Sequence, residues 1–258
     1  MRLVFCVMDR WTDCPVATGR SVRIGTNRMK KIDALKDSII NAGRILVRED
    51  QGDYIFGHVT ARLPDDPAHF LMKPHTIGLE EITPDNIITV NLEGEKVAGE
   101  MPRHLEVFIH SEILRVRSDV EAVVHTHAPY AVAFSALGRP LQPVGHEGAI
   151  FSDGLPVFSE TSDLIVDQSR GKAVARALGA FNALILRNHG IVTTGRTVEE
   201  ATVLALFLEN ACRSQLMVES CGGAAHVSTA HDAVAKKGRI MPQCGKVFEY
   251  LARRLPES

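Results

Sequence analysis

The segment Val123-Val124-His125-Thr126-His127 sets two imidazoles two residues apart behind a pair of β-branched apolar side chains. Val123 and Val124 read as the end of a buried strand. Side chains two apart on a strand share a face, so His125 and His127 project side by side. Neutral ring nitrogens in that relation bind a divalent transition metal such as zinc, manganese, iron or cobalt. An isolated His-x-His on a strand is more often structural; a third histidine shifts that balance. His189 follows the apolar run Ala183-Leu184-Ile185-Leu186 and precedes Gly190, a residue suited to a tight turn. Three histidines at strand ends make an open catalytic metal site, with coordination positions left for substrate or water.

Helical spacing and alternation predict the elements that carry these groups. From Met29 to Val47, apolar Ile32, Leu35, Ile39, Ile40 and Leu46 recur with a helical period. Gln51-Gly52-Asp53 is a turn, Tyr54-Ile55-Phe56 starts a short strand, and Gly57–Arg62 continues it in alternation. Pro64-Asp65-Asp66-Pro67 marks a turn, Phe70–Met72 a strand and Lys73–Gly78 a loop. Ile87–Val90 and Lys96-Val97 make a hairpin around Glu93-Gly94-Glu95. Pro102 opens a helix to about Arg117, with Glu106 in its first turn, where the helix dipole favours a carboxylate. A helix over Tyr130–Leu137 closes at Gly138, and Val144–Val157 is glycine-punctuated loop and strand. Gln168–Leu178 is a helix, and the strands Ala183–Leu186 and Ile191–Thr194 flank His189. Thr197 and Glu200 form a capping box for the longest helix, Val198 to about Glu219, which Gly222-Gly223 breaks. A basic tail ends in a short helix around Val247–Arg254.

This order predicts an α/β protein, a three-layer α/β/α domain with a mostly antiparallel central sheet. The expected division is an extension over residues 1–28, a metal-binding domain over 29–220 and a tail over 221–258. At 258 residues and 45% hydrophobic, the chain has the material for one sizeable core. A net charge of −2 without basic blocks points away from nucleic acid and membrane partners and toward a small-molecule substrate. Eight of the eleven histidines fall between His58 and His146, which supports a metal or acid-base site in that half. Cys6, Cys14, Cys212, Cys221 and Cys244 are odd in number and lack a C-x-x-C pair, so reduced thiols in a cytoplasm are expected. The apolar start Leu3–Met8 is broken by Asp9 and Arg10, too short for a signal peptide or a membrane span.

Taken together, Gly57-His58-Val59-Thr60-Ala61-Arg62, the Glu106 helix, His125-Thr126-His127 and Arg187-Asn188-His189-Gly190 resemble the class II aldolase/adducin family in order and spacing. The resemblance covers roughly residues 29–220. It implies that His125, His127 and His189 bind the metal. It also implies that Glu106, 19 residues before His125, is the acid-base group. It further implies a homo-oligomer, tetramer-like, with active sites at subunit contacts. Members are similar to sugar-phosphate aldolases and epimerases, to decarboxylases, or to the non-enzymatic adducin-type domain. Retention of all three histidines and the glutamate argues against that last form.

Departures from the aldolase pattern narrow the expectation. The phosphate-binding aldolases resemble Gly-Asn-hydroxyl where this chain has Gly57-His58-Val59-Thr60, and small hydroxyl residues where it has His104 and Leu105. A phosphate cradle wants amides and hydroxyl donors, and Leu105 supplies none. His58, Lys73, His75, Arg103 and His104 form instead a candidate substrate-binding set, able to pair with a carboxylate. The aldolases' tyrosine proton donor falls 19 residues after the second strand histidine, at His146. The expected activity is therefore a metal-dependent decarboxylase of a hydroxylated aromatic or pyridine dicarboxylate. A hydroxypyridine dicarboxylate of vitamin B6 breakdown and a dihydroxyphthalate are examples, with Glu106 or His146 protonating the ring carbon. The alternatives are an aldolase acting on a hydroxy-keto substrate at the same metal, and a catalytically silent binding domain of adducin type.

Overall fold

A computed structural model describes residues 20–256, with side chains from residue 28. The first part of the expected extension, residues 1–19, lies outside the described residues. Helix α1 runs from Arg20 to Arg48, starting ahead of Met29. Its Ile39, Ala42, Ile45 and Leu46 are fully buried, one apolar stripe facing the sheet.

Eight strands follow: β1 (His58–Leu63), β2 (Asp66–Met72), β3 (Ile88–Asn91), β4 (Lys96–Ala98), β5 (Ala122–Thr126), β6 (Val157–Phe158), β7 (Ala183–Leu186) and β8 (Gly190–Gly195). They form one sheet in the order β4-β3-β2-β1-β5-β8-β7-β6. Every pairing is antiparallel except that of β6 with β7. The helices are α2 (Val107–Val116), α3 (Pro129–Ser135), α4 (Gly145–Ile150), α5 (Gln168–Leu178), α6 (Val198–Ser220), α7 (Ala230–Ile240) and α8 (Cys244–Ala252).

The period of two along each strand divides the interior into two clusters. Val59, Ala61, Ala122 and Val124 pack with the buried faces of α1 and α6. Val123, Leu184, Leu186 and Val192 point the other way, onto Val107, Ile109 and Ile113 of α2 and Val174 and Leu178 of α5. The result is the three-layer, mostly antiparallel architecture. Helix α6 touches α1, α3, α4 and α8 as well as β5 and β8, which is why it is buried on most sides. The tail folds back on this layer: Cys244 and Phe248 of α8 belong to the same apolar cluster.

Several local expectations change. Tyr54–Phe56 is a turn with Tyr54 at φ 48°, and β1 begins only at His58. The Pro64–Pro67 turn contracts to Pro64 and Asp65, with Pro67 already inside β2 beside a register shift, where the ladder needs no donor. Helix α2 starts at Val107 rather than Pro102, so Glu106 is its N-cap residue and not part of the first turn. Gly145–Ile150 is helical although its glycines look like breakers. A Cβ on Gly148 would sit 2.7 Å from the Gln142 carbonyl, so that glycine serves close packing. Helix α7, capped by Thr229, stands where a loose tail was expected. At α6 Thr197 caps as predicted, accepting from the Glu200 amide at 3.2 Å, while the Glu200 carboxylate turns back to the Arg196 amide. Among the described residues, no helix is long and apolar enough to cross a membrane.

Candidate metal centre

His125 lies one residue before the end of β5 on the face that meets α2, and its Nδ1 lies 2.9 Å from the Ile191 carbonyl of β8. A carbonyl only accepts, so Nδ1 carries the proton and Nε2 keeps its lone pair. His127, just past the strand, is 2.7 Å from the Asp53 carboxylate through Nδ1, which directs its Nε2 in the same way. His189 is set by the turn between β7 and β8. Asn188 takes the left-handed conformation there, φ 56°, and its amide donates to the Ser135 hydroxyl. Gly190 was expected for that turn; its role is instead close approach. A Cβ at Gly190 would lie 2.4 Å from the Thr126 carbonyl and 3.1 and 3.2 Å from the His127 and His125 rings.

The three ring centroids are 5.1, 5.1 and 5.2 Å apart. Glu106 joins them from the start of α2, with one oxygen accepting the Ile165 amide at 2.8 Å. Its oxygens are 3.5 Å from His189 Nε2 and 3.8 Å from His125 Nε2. One donor atom from each of the four residues lies within 4.8 Å of the others. The Nε2 atoms of His125, His127 and His189 are buried and have no hydrogen-bond partner. Buried polar atoms are normally satisfied, so three orphaned ring nitrogens beside a carboxylate fit a divalent transition metal. Two of the three carry the second ring proton on a carbonyl or carboxylate, the usual support for a ligating imidazole.

Electrostatics agree. Burial pushes Glu106 up, but contact with His189, the charges of His125 and His189 and the Ile165 N–H outweigh it and hold the carboxyl at about 2. At 3.5 Å the His189 contact is a charge interaction more than a formed hydrogen bond. Burial drives His125 well below its ordinary value, against the pull of Glu106, which keeps the ring neutral and able to ligate.

The candidate substrate-binding residues divide. His58 stands opposite His125 in register and 4.9 Å from it, ring to ring. His104 lies 4.3 Å from His58, and His75 lies 5.0 Å from His104. Burial lowers His104 to about 3, helped by the Lys73 charge. Lys73 is fully buried, and its ammonium donates to the Ile55 carbonyl at 2.7 Å. Burial brings it down to about 8. Arg103 is turned aside, donating to the His104 carbonyl and stacking over Phe108. His146 is exposed on α4 and, among the described residues, makes no hydrogen bond to the four-residue cluster. His146 is not among the four residues whose donor atoms cluster.

Asp53, Thr60 and His110 escaped the sequence reading. His110 sits one helical turn after Glu106, on the same face of α2, a spacing that marks it in retrospect. Asp53 is 74 residues from His127, and no local pattern joins them. Phe56 is 46% exposed with its ring 6.0 Å from His127, and Leu105, next to Glu106 in the sequence, is 59% exposed.

Residues 37–216 match the model of the family described as Class II Aldolase and Adducin N-terminal domain. The chain is 32% identical over 197 residues to the meiotically up-regulated gene 14 protein of Schizosaccharomyces pombe, covering 76% of this chain and 77% of that one. It is 33% identical over 172 residues to Decarboxylase NovR of Streptomyces niveus, covering 66% of this chain and 64% of that one, just under two thirds of its length. Its structure is similar to that of L-fuculose 1-phosphate aldolase from Glaciozyma antarctica, with a TM-score of 0.77, 26% identity and coverage of 96% and 97% of the two chains. The chain belongs to the class II aldolase and adducin N-terminal domain family.

Proposed function

We propose that the protein is a metal-dependent decarboxylase of a hydroxylated aromatic or pyridine dicarboxylate. The observation that carries this reading is the exposed Phe56 ring 6.0 Å from His127, aromatic surface beside a three-histidine cluster that could hold a metal. Such a ring offers stacking surface to a flat aromatic substrate, which a sugar phosphate does not use. Similarity to a protein named as a decarboxylase supports the same choice.

His125, His127 and His189 would hold the ion, which supplies a Lewis acid that draws electron density from the substrate's oxygens. Glu106, ionised down to about 2, is placed to take the proton of the ring hydroxyl. It then delivers that proton to the ring carbon bearing the departing carboxylate. The carbon–carbon bond breaks, its electrons restore the aromatic ring, and CO₂ leaves. His75, partly exposed, is the group proposed to hold the retained carboxylate, and Arg103 joins it only by leaving the His104 carbonyl and the Phe108 ring. Buried Lys73, His104 and His58 line the site from behind. His146 enters only if assembly brings it in from another copy, which ties its role to the expected tetramer-like homo-oligomer. Reduced Cys212 and Cys244, buried in the core, fit a cytoplasmic setting.

The test is incubation of zinc- or manganese-loaded protein with hydroxylated aromatic and pyridine diacids and, separately, with sugar phosphates. CO₂ release from a diacid is the expected result. Aldehyde release from a sugar phosphate at a comparable rate would assign aldolase chemistry instead, and failure to retain metal would place the chain with the silent adducin-type domains. Light scattering on the same samples is expected to show an assembly, and full activity from a 28.2 kDa particle would remove the oligomeric part of the reading.

A further inference from the structure

Strands β1 and β5 pair with His58 opposite His125 and Thr60 opposite Val123, so His58, Thr60 and His125 share the sheet face that meets α2. Behind His58, α2 supplies His110. Thr60 Oγ1 is 2.8 Å from His110 Nδ1, and His110 Nε2 is 2.7 Å from His58 Nδ1. All three residues are buried. Burial lowers His110 to about 3 against the opposing charge of Glu106, so its ring is neutral and one nitrogen must accept.

Such a chain can orient its protons in two directions only. The single hydroxyl proton of Thr60 has an acceptor in the Val123 carbonyl at 3.4 Å, which cannot donate in return. With that proton toward Val123, Thr60 accepts from His110 Nδ1–H. His110 Nε2 then accepts from His58 Nδ1–H, and His58 Nε2 is left with a lone pair. The opposite direction ends in an N–H at His58 Nε2. That would set a positive edge in a region that already contains the Lys73 ammonium and, when loaded, a divalent cation. Electrostatics favours the first direction.

We propose that Thr60 and His110 are positioning residues that hold His58 as its Nδ1–H tautomer, so that Nε2 accepts a hydrogen bond from a hydroxyl of the substrate beside the metal centre. This rests on the reading of that centre as the reacting site for a hydroxylated ring. It adds a requirement: besides the hydroxyl whose proton Glu106 takes, the substrate must present a second hydroxyl that donates, which an ether, a phosphate oxygen or an ionised carboxylate cannot do.

The test uses the full chain, zinc-loaded and labelled with ¹⁵N-histidine, in long-range ¹H–¹⁵N correlation at neutral pH. The His58 signals are identified by their loss in His58→Asn. Wild type is expected to show a protonated Nδ1 and a bare Nε2 at His58. Thr60→Val, which keeps the shape, and His110→Phe should each give a mixed or inverted tautomer. His110→Gln should restore the wild-type pattern, since its carboxamide oxygen can accept from His58 Nδ1–H; bound zinc should be the same throughout. In calorimetry, wild type should bind a dihydroxyphthalate roughly tenfold tighter than its monomethyl ethers, and His110→Phe should narrow that ratio. An Nε2–H tautomer in the wild type, or a tautomer indifferent to both Thr60→Val and His110→Phe, would overturn the proposal. CO₂ release alongside the wrong tautomer sinks this inference alone. The expected tautomer with no turnover of any diacid sinks the decarboxylase reading instead.

Discussion

Glu106 is buried, ionised and within 4 Å of two imidazole nitrogens, so a change there separates proton transfer from metal binding. Glu106→Gln keeps the shape and the acceptor for the Ile165 amide but cannot exchange a proton. Turnover is expected to fall about 10²–10⁴-fold, the usual worth of general acid-base help, with bound metal nearly unchanged. Steady-state kinetics with metal analysis checks this, and wild-type turnover would take Glu106 out of the mechanism. Gly190→Ala tests the opposite property. Its methyl group would press on the Thr126 carbonyl and on two ligand rings, so it should cost about 1–3 kcal/mol and loosen the metal. Thermal melting and zinc retention against a chelator measure both effects. At this scale the three histidines are legible in the sequence because each lies at a strand end next to an apolar run. Asp53, Thr60 and His110 are not, because their partners arrive through sheet pairing and helix docking, 50 or more residues along the chain.

Elements with a strong period read correctly, and those decided by packing do not. The β-branched runs of β5, β7 and β8 and the long α6 stripe declare themselves. The start of α2 does not, because Pro102 suits a helix N-terminus while residues 102–105 are needed to carry His104 past Lys73 and His75. The start of β1 is similarly displaced: Gln51 is tied to the Ala205 carbonyl and the Thr126 hydroxyl, and Lys73 donates to the Ile55 carbonyl, so the segment between is held as a loop. Capping is the part of element chemistry most open to direct measurement. Thr197 satisfies one free amide of α6, so Thr197→Ala should cost about 1 kcal/mol and lower the melting temperature by roughly 2–4 °C. Thr197→Ser should recover most of that loss. An unchanged melting point would mean that the Glu200 carboxylate on the Arg196 amide holds the helix start alone.

For the whole molecule, the four-residue cluster draws on α2, β5 and the β7–β8 turn, three places far apart along the chain that meet only once the sheet is formed. The unfolded chain has no such constellation. Ligand binding that favours the native state alone raises its stability by an amount set by free ligand over Kd, about 1.4 kcal/mol for each tenfold excess. Melting temperature is therefore expected to climb with free zinc and to drop on adding a chelator, and the dependence should vanish in His125→Ala. A melting point blind to metal in the wild type would contradict a native-state site. The four-residue cluster thus has a second meaning: because it exists only in the folded chain, the chain's persistence in the folded state becomes a readout of how much metal surrounds it.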